Sequence, residues 1–348
     1  MKTERRIKNP LRKRLIREIR DDFGKYLVIF VLLVGMIGLV SGFLVADESM
    51  IKAYSESFEK YNIEDGNFTV RDELNKARLH RIEKLGVSLY PIFYSDTEFD
   101  NDTTLRLFQK REVCDLECLM EGAFPKGDNE IAIDRMYADN NGLKVGDTIK
   151  TAYGEEYTIS GLVALSDYST MFQDNSDTMF DSLKFGVAIL SGEGFGRIAG
   201  DRLTYRYAWK YDVTPADETE ENARSEDFLE VLSDEVVLED YIPRYQNQAI
   251  TFTGEDMGSD RAMITVLLYI LIMIISFVFA VTTTNTIQKE ANVIGTLRAS
   301  GYTRNELTVH YMLPPIFVTV CGAIVGNILG YSYFKQTMAD LYYDSYSL

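Results

Sequence analysis

Sulfur and imidazole are scarce in this chain. Its 348 residues include three cysteines, Cys114, Cys118 and Cys321, and two histidines, His80 and His310. That is too little cysteine for a disulfide scaffold or a cysteine-rich zinc site, and the two histidines lie too far apart in sequence to suggest a metal centre. No G-x-x-x-x-G-K-[ST] stretch occurs, so the chain brings no ATP-binding loop of its own. No nucleophile can be paired with a base, so no catalytic residue, metal or cofactor is assigned and the chain does not read as an enzyme. Positive charge is in deficit: 36 Lys or Arg face 53 Asp or Glu, for a net charge of -17. A nucleic-acid partner is excluded on that balance, because such proteins present a basic face.

The averages hide an uneven distribution. Residues 27–46, LVIFVLLVGMIGLVSGFLVA, carry no charge. Twenty apolar residues cross a hydrocarbon core of about 30 Å as a helix. Residues 262–281 and 311–331 form two further charge-free runs, the last containing Pro314 and Pro315 near its start. Ahead of the first run, residues 1–25 hold ten Lys or Arg against four Asp or Glu. That surplus places the N-terminus, residues 1–26, in the cytoplasm and reads as an uncleaved anchor. Alternation then puts 47–261 outside, 282–310 in the cytoplasm and 332–348 outside. Residues 47–261 carry 22 Lys or Arg against 45 Asp or Glu, so the acidic excess is external. Gly38 and Gly42, and Gly322, Gly326 and Gly330, recur at four-residue spacing. Such spacing lets another helix approach closely, in this chain or in a partner.

The external segment mixes helical and strand periods and reads as α+β. Residues 48–61 continue the first span as a stalk, and 74–85 form an amphipathic helix closed by Gly86. Strands are expected at 67–71, 88–94, 104–110, 157–164, 185–191 and 203–213. Asp217 to Glu235 is a polar helix with Phe228, Leu229 and Leu232 on its apolar side. In Gly122 to Ile149 a strand over Glu130 to Ile133 leads to a helix capped by Asp134 and closed near Asn141 and Gly142; Val145 to Asp147 then turn into another strand. Asp174, Asp177 and Asp181 lack the pattern of a calcium loop and read as solvated. The stretch from Gly192 to Gly200 lacks the Lys-Ser or Lys-Thr of a phosphate loop and reads as a turn. Cys114 and Cys118, four apart, read as two thiols, with a disulfide between them the alternative outside the cell, and Asn67 and Asn101 open triplets that match the glycosylation pattern, as short patterns often do by chance.

Between the second and third spans, Ile287, Ala291, Ile294 and Leu297 form a helical stripe. Gly301 ends that helix, and Thr303 to Glu306 is a capping pattern for the next. By composition alone this helix suits either the membrane surface or a groove on a cytoplasmic partner. Glu290 through Leu307, EANVIGTLRASGYTRNEL, resembles the cytoplasmic loop of FtsX-like ABC transporter permeases, and Gly122 to Ile149 resembles a segment of their MacB-type periplasmic core. The order of span, large external domain and further spans is similar too, so the likeness covers nearly the whole chain.

The resemblance implies a membrane protein with helical spans and a large α+β extracytoplasmic domain. It implies a dimer with a second permease copy or a paralogue, a separate cytoplasmic ABC ATPase, and contact with membrane lipid. Glu290, Ile294, Gly295, Leu297, Arg298 and Gly301 would couple that ATPase to the spans. ATP-driven closure would move the external domain through the stalks for export, extraction or mechanotransmission. The family also has a fourth span. Seventeen residues follow the third here, which reads as a chain truncated or split before it. The alternative function is a membrane-anchored extracytoplasmic binding or sensing protein without ATP coupling.

Overall fold

The computed structural model describes residues 10–198 and 200–347. The first nine residues of the expected basic N-terminus, Ala199 of the glycine-rich stretch and Leu348 lie outside the described residues. In chain order the elements begin with α1 (Pro10–Asp21), α2 (Phe23–Lys60), β1 (Gly66–Val70), α3 (Lys76–Glu83), β2 (Val87–Pro91), β3 (Tyr94–Glu98), β4 (Thr104–Gln109), β5 (Glu117–Gly122), β6 (Glu130–Asp134) and α4 (Arg135–Asn141). They continue with β7 (Thr148–Lys150), β8 (Glu156–Leu165), β9 (Phe185–Leu190), α5 (Gly192–Phe195), β10 (Tyr205–Tyr211), α6 (Glu218–Glu235), β11 (Leu238–Pro243), α7 (Gln248–Lys289), α8 (Ala291–Ala299), α9 (Arg304–Leu329) and α10 (Lys335–Ser345). Residues 10–50 and 258–341 make a helical unit; 51–257 and 342–347 make a sheet unit.

Among the described residues, three helices are long and apolar enough to cross a membrane: Phe23–Lys60, Gln248–Lys289 and Arg304–Ser345. In hydrocarbon every backbone amide and carbonyl needs an internal partner, which a helix supplies within itself. Each helix is longer than its charge-free run. The third does not stop at Tyr331. Gly330 takes an ordinary right-handed conformation at φ -56°, a π-helical turn follows over Gly330–Phe334, and α10 continues to Ser345. Residues 335–345 contain neither Pro nor Gly, so nothing breaks the helix there.

The sheet unit holds two sheets. Strands β11-β1-β10-β2 form one, entirely antiparallel. Its core gathers Phe68, Tyr207, Trp209, Phe228 and Leu232 between the sheet and helices α3 and α6. Tyr241 stacks on Trp209 at 4.9 Å between ring centres. Gly66 leaves room for that indole: a Cβ there would lie 2.2 Å from Trp209 Cζ2. The other sheet runs β3-β4-β9-β6-β8-β5, with β7 on β8. One face buries Phe108, Met136, Val163, Phe185 and Val187; the other buries Leu105, Ile131, Ile133, Tyr137 and Ile159.

The segment from Glu130 forms as its turn chemistry dictates. Asp134 caps α4 by accepting from the Tyr137 amide at 3.1 Å, and Gly142 closes it in the left-handed region. Other details differ from expectation. The strand expected over 88–94 is two strands in different sheets, parted after Pro91, which has no amide to donate. Strands β3, β5 and β11 are short and charged and give no clear alternation. Leu229 is exposed, while Phe228 and Leu232 are buried. The glycine-rich stretch contains a one-turn helix, α5, capped by the Ser191 hydroxyl. Asn67 is buried in β1 and donates to Glu64 Oε1 at 2.6 Å, so its triplet is not available to a sugar. Cys114 and Cys118 are free thiols. Asp177 and Asp181 accept from nearby backbone amides within their own loop.

Residues 342–347 pack within the sheet unit. Arg135 donates to the Tyr343 and Tyr346 carbonyls and stacks its guanidinium 3.6 Å from the centre of the Tyr343 ring. Ser347 donates its amide to the Ser169 carbonyl at 3.0 Å and its hydroxyl to Asp134.

A buried polar cluster occupies the same unit. Arg111 makes a two-pronged ion pair with Asp167 at 2.6 and 3.0 Å, both side chains 5% exposed. Asp115 accepts from the Glu64 amide at 2.7 Å. Burial, with Asp167 nearby, pushes the Glu64 carboxyl up to about 7. Folding therefore favours its protonated form. The stability it contributes is complete below its ordinary value of 4.5 and is lost as pH rises through about 7. Urea unfolding of the full chain, followed by fluorescence of Trp209, should thus show a higher midpoint at pH 6 than at pH 8. Glu64→Gln should raise the pH 8 stability by about 1–2 kcal/mol and flatten that dependence. An unchanged slope in the variant would assign the pH dependence to another group.

Candidate coupling site

Local chemistry builds the short segment between the second and third long helices. Helix α7 ends at Lys289, and Glu290 precedes α8. Gly301, at φ +95°, lets the chain turn sharply after α8. Its amide bonds to the Arg298 carbonyl and that of Tyr302 to the Leu297 carbonyl, the paired contacts of a Schellman cap. Thr303 then opens α9 with a reciprocal capping box: its hydroxyl accepts from the Glu306 amide, and Glu306 accepts from the Thr303 amide. Both ends of the turn are fixed by sequence-local bonds.

This fixed helix buries little. No residue of α8 is buried. Ile294 and Leu297 are half-buried, Gly295 and Arg298 are exposed, and Val293 and Ile287 are 38% and 43% exposed. A Cβ at Gly295 would meet nothing within 4 Å. The glycine is therefore not required by packing inside the chain.

Glu290 is placed differently from the rest. Its carboxylate accepts from Arg14 Nη2 of α1 at 2.8 Å and from the Tyr311 hydroxyl of α9. Arg14 also pairs with Glu18, and His310 Nε2 lies 3.0 Å from Glu18 Oε2. Lys25 of α2 donates to Thr286 of α7 at 2.8 Å. Beside these pairs a cleft of about 300 Å³ is lined by Asp21, Asp22, Lys25, Asn285 and Lys289, among others. Arg14, Glu18 and Tyr311 carry no sequence signal beyond the four-residue spacing of Arg14 and Glu18 on one helix.

The glycines at four-residue spacing meet across the helical unit. A Cβ on Gly42 would lie 2.5 Å from Phe334 Cβ, and one on Gly38 3.0 Å from the Phe334 ring. On the opposing helix, a Cβ on Gly326 would lie 2.9 Å from Ile37 Cβ, one on Gly322 3.1 Å from Leu33 Cβ, and one on Gly330 2.8 Å from the Gly38 carbonyl oxygen. Ser41 donates to Asn327 Oδ1 at 3.1 Å along the same seam.

Among the described residues, three long apolar helices and a separate sheet unit define a membrane protein with helical spans and an α+β domain. Residues 265–348 match the family model described as FtsX-like permease C-terminal. It is 25% identical over 322 residues to a protein of Staphylococcus haemolyticus named a hemin transport system permease protein, HrtB, with 89% of this chain and 81% of that one covered. Among solved structures it is similar to the extracellular domain of the noncanonic ABC-type transporter YknZ from Gram-positive bacteria (9% identity, TM-score 0.27, covering 51% of this chain and 97% of that one). It is also similar to the periplasmic region of MacB from Actinobacillus actinomycetemcomitans (12% identity, TM-score 0.30, covering 55% and 91%).

Gly42→Ala should lower the stability of the full chain in detergent by roughly 1–3 kcal/mol, the range for overpacking a close contact. Gly35→Ala, on the same helix with nothing within 4 Å of its Cβ, serves as the control and should not destabilise. Thermal unfolding of both variants checks the pair, and equal effects would count against the seam.

Proposed function

We propose that the chain is the permease subunit of an ABC complex whose ATP hydrolysis is performed by a separate cytoplasmic subunit. The N-terminus and residues 282–310 face the cytoplasm, and the sheet unit lies on the other side of the membrane. The excess of ten Lys or Arg over four acids in residues 1–25 supports that orientation. Helix α8 docks on the ATPase through Ile294, Gly295, Leu297 and Arg298, with Gly301 setting the turn behind them. One observation carries this reading: α8 is capped at its C-terminal end yet buries nothing, and it presents apolar side chains around an open glycine. A rigid helix with an unfilled apolar face suits a groove on a partner.

Movement of α8 then passes into α2 and α7, which run unbroken from the helical unit into the sheet unit. The complex contains two permease copies or paralogues embedded in lipid. The second helix supports this, because Tyr269, Met273 and Phe277 are exposed and available to lipid or to the other copy.

Co-purification of the ATPase with the full chain tests the proposal. Leu297→Glu and Gly295→Leu should each reduce ATPase recovery at least tenfold, which corresponds to about 1.4 kcal/mol. Gly295→Leu, at an exposed position, should leave the thermal unfolding of the chain within about 0.5 kcal/mol of the parent, and Leu297→Glu, at a half-buried one, within about 1 kcal/mol. Undiminished recovery in both variants would turn the assignment toward a membrane-anchored binding or sensing protein.

A further inference from the structure

Helix α8 is covalently continuous with the second and third long helices. Residue 290 joins it to α7, and residues 300–303 join it to α9. The first long helix has no chain connection to it. Yet α2, at 38 residues, is one of the two unbroken helices that continue into the sheet unit. A push on α8 would reach α2 only through side chains.

Lys25 with Thr286 and Ser41 with Asn327 link α2 to its two neighbours further along, and Arg14 supplies the connection next to α8 itself. It lies on α1, which is followed directly by α2; the Asp22 amide at the junction bonds to the Glu18 carbonyl at 3.0 Å, so the two helices meet in a hydrogen-bonded turn. From α1, Arg14 donates to Glu290 at 2.8 Å, immediately ahead of α8. The remaining contacts close a ring. Glu290 accepts from Tyr311, Glu18 pairs with Arg14, and His310, the chain neighbour of Tyr311 and 3% exposed, lies with Nε2 3.0 Å from Glu18 Oε2 without making a hydrogen bond. The Arg14 and Glu290 side chains are 28% and 26% exposed, so the pair is partly withdrawn from solvent and stronger than one lying free on a surface.

We propose that the ring of Arg14, Glu18, Glu290, His310 and Tyr311 fastens the start of α8 to α1, so that displacement of the coupling helix is transmitted to the first long helix as well as to the other two. Glu290 is then a positioning residue held inside the permease and not a contact on the ATPase. This rests on the coupling reading of α8 given above.

The test uses hydrogen–deuterium exchange on the full chain in lipid nanodiscs. In the chain alone, Arg14→Met and Glu290→Gln should each speed exchange in 291–299 and in 10–21 by about three- to tenfold. The double variant should be no faster than the faster single one, as for two residues acting through one contact. Additive effects, or an Arg14→Met effect confined to 10–21, would overturn the ring. The co-purifying ATPase is then added with a non-hydrolysable ATP analogue. The parent should show protection in 291–299 together with altered exchange in 10–21. Arg14→Met should keep the first response and lose the second, a split that a merely structural role would not produce. A variant that keeps both responses would overturn the transmission. If 291–299 is not protected in the parent, the coupling reading fails and the transmission with it, while the double-variant comparison still decides whether the ring exists.

Discussion

Unbroken backbone hydrogen bonding through the long helices is the constraint on which this protein depends. Hydrocarbon gives an amide or carbonyl no partner, so the chain must stay helical wherever it crosses. Here the helices do not end with the apolar runs. The chain passes between its helical and sheet units three times, and each passage falls inside a helix: α2, α7 and α10. Both the proposed ATPase coupling and the ring around Arg14 matter only because of that continuity.

The sheet unit answers this with rigidity of its own. Its two sheets have separate, aromatic-rich cores, and the same unit holds Arg111 and Asp167 paired out of solvent with Glu64 near Asp167. Such clusters are costly to bury singly and stable when every member is matched. Residues 342–347 add the stacked Arg135 and Tyr343 and the bond from Ser347 to Asp134, so the end of the third long helix runs into that scaffold.

What the sequence disclosed follows the range of each interaction. The charge-free runs, the cap at Asp134, the left-handed Gly142 and Gly301 and the capping box at Thr303 rest on bonds within a few residues, and all are readable by eye. The helix ends were harder to see. Residues 248–261 and 332–345 are more polar than the apolar runs they extend, so their helical continuation does not stand out. The strand over 88–94 looked continuous because its alternation runs on through Pro91, while its two halves join different sheets. The ring was invisible: Arg14 and Glu290 are 276 positions apart, and each alone is an ordinary charged residue on a helical segment. Phe334 was equally silent, since nothing in its neighbourhood says that it fills the space left by Gly38 and Gly42.

The π-helical turn at Gly330–Phe334 has one more consequence. A turn of that kind holds one residue more than an α-helical turn. If it were taken up, everything after it would rotate by about 100° and shift by about 1.5 Å along the axis, the step of one helical residue. The third long helix therefore carries one residue more than an α-helix of the same length would, placed where Phe334 sits against Gly38 and Gly42.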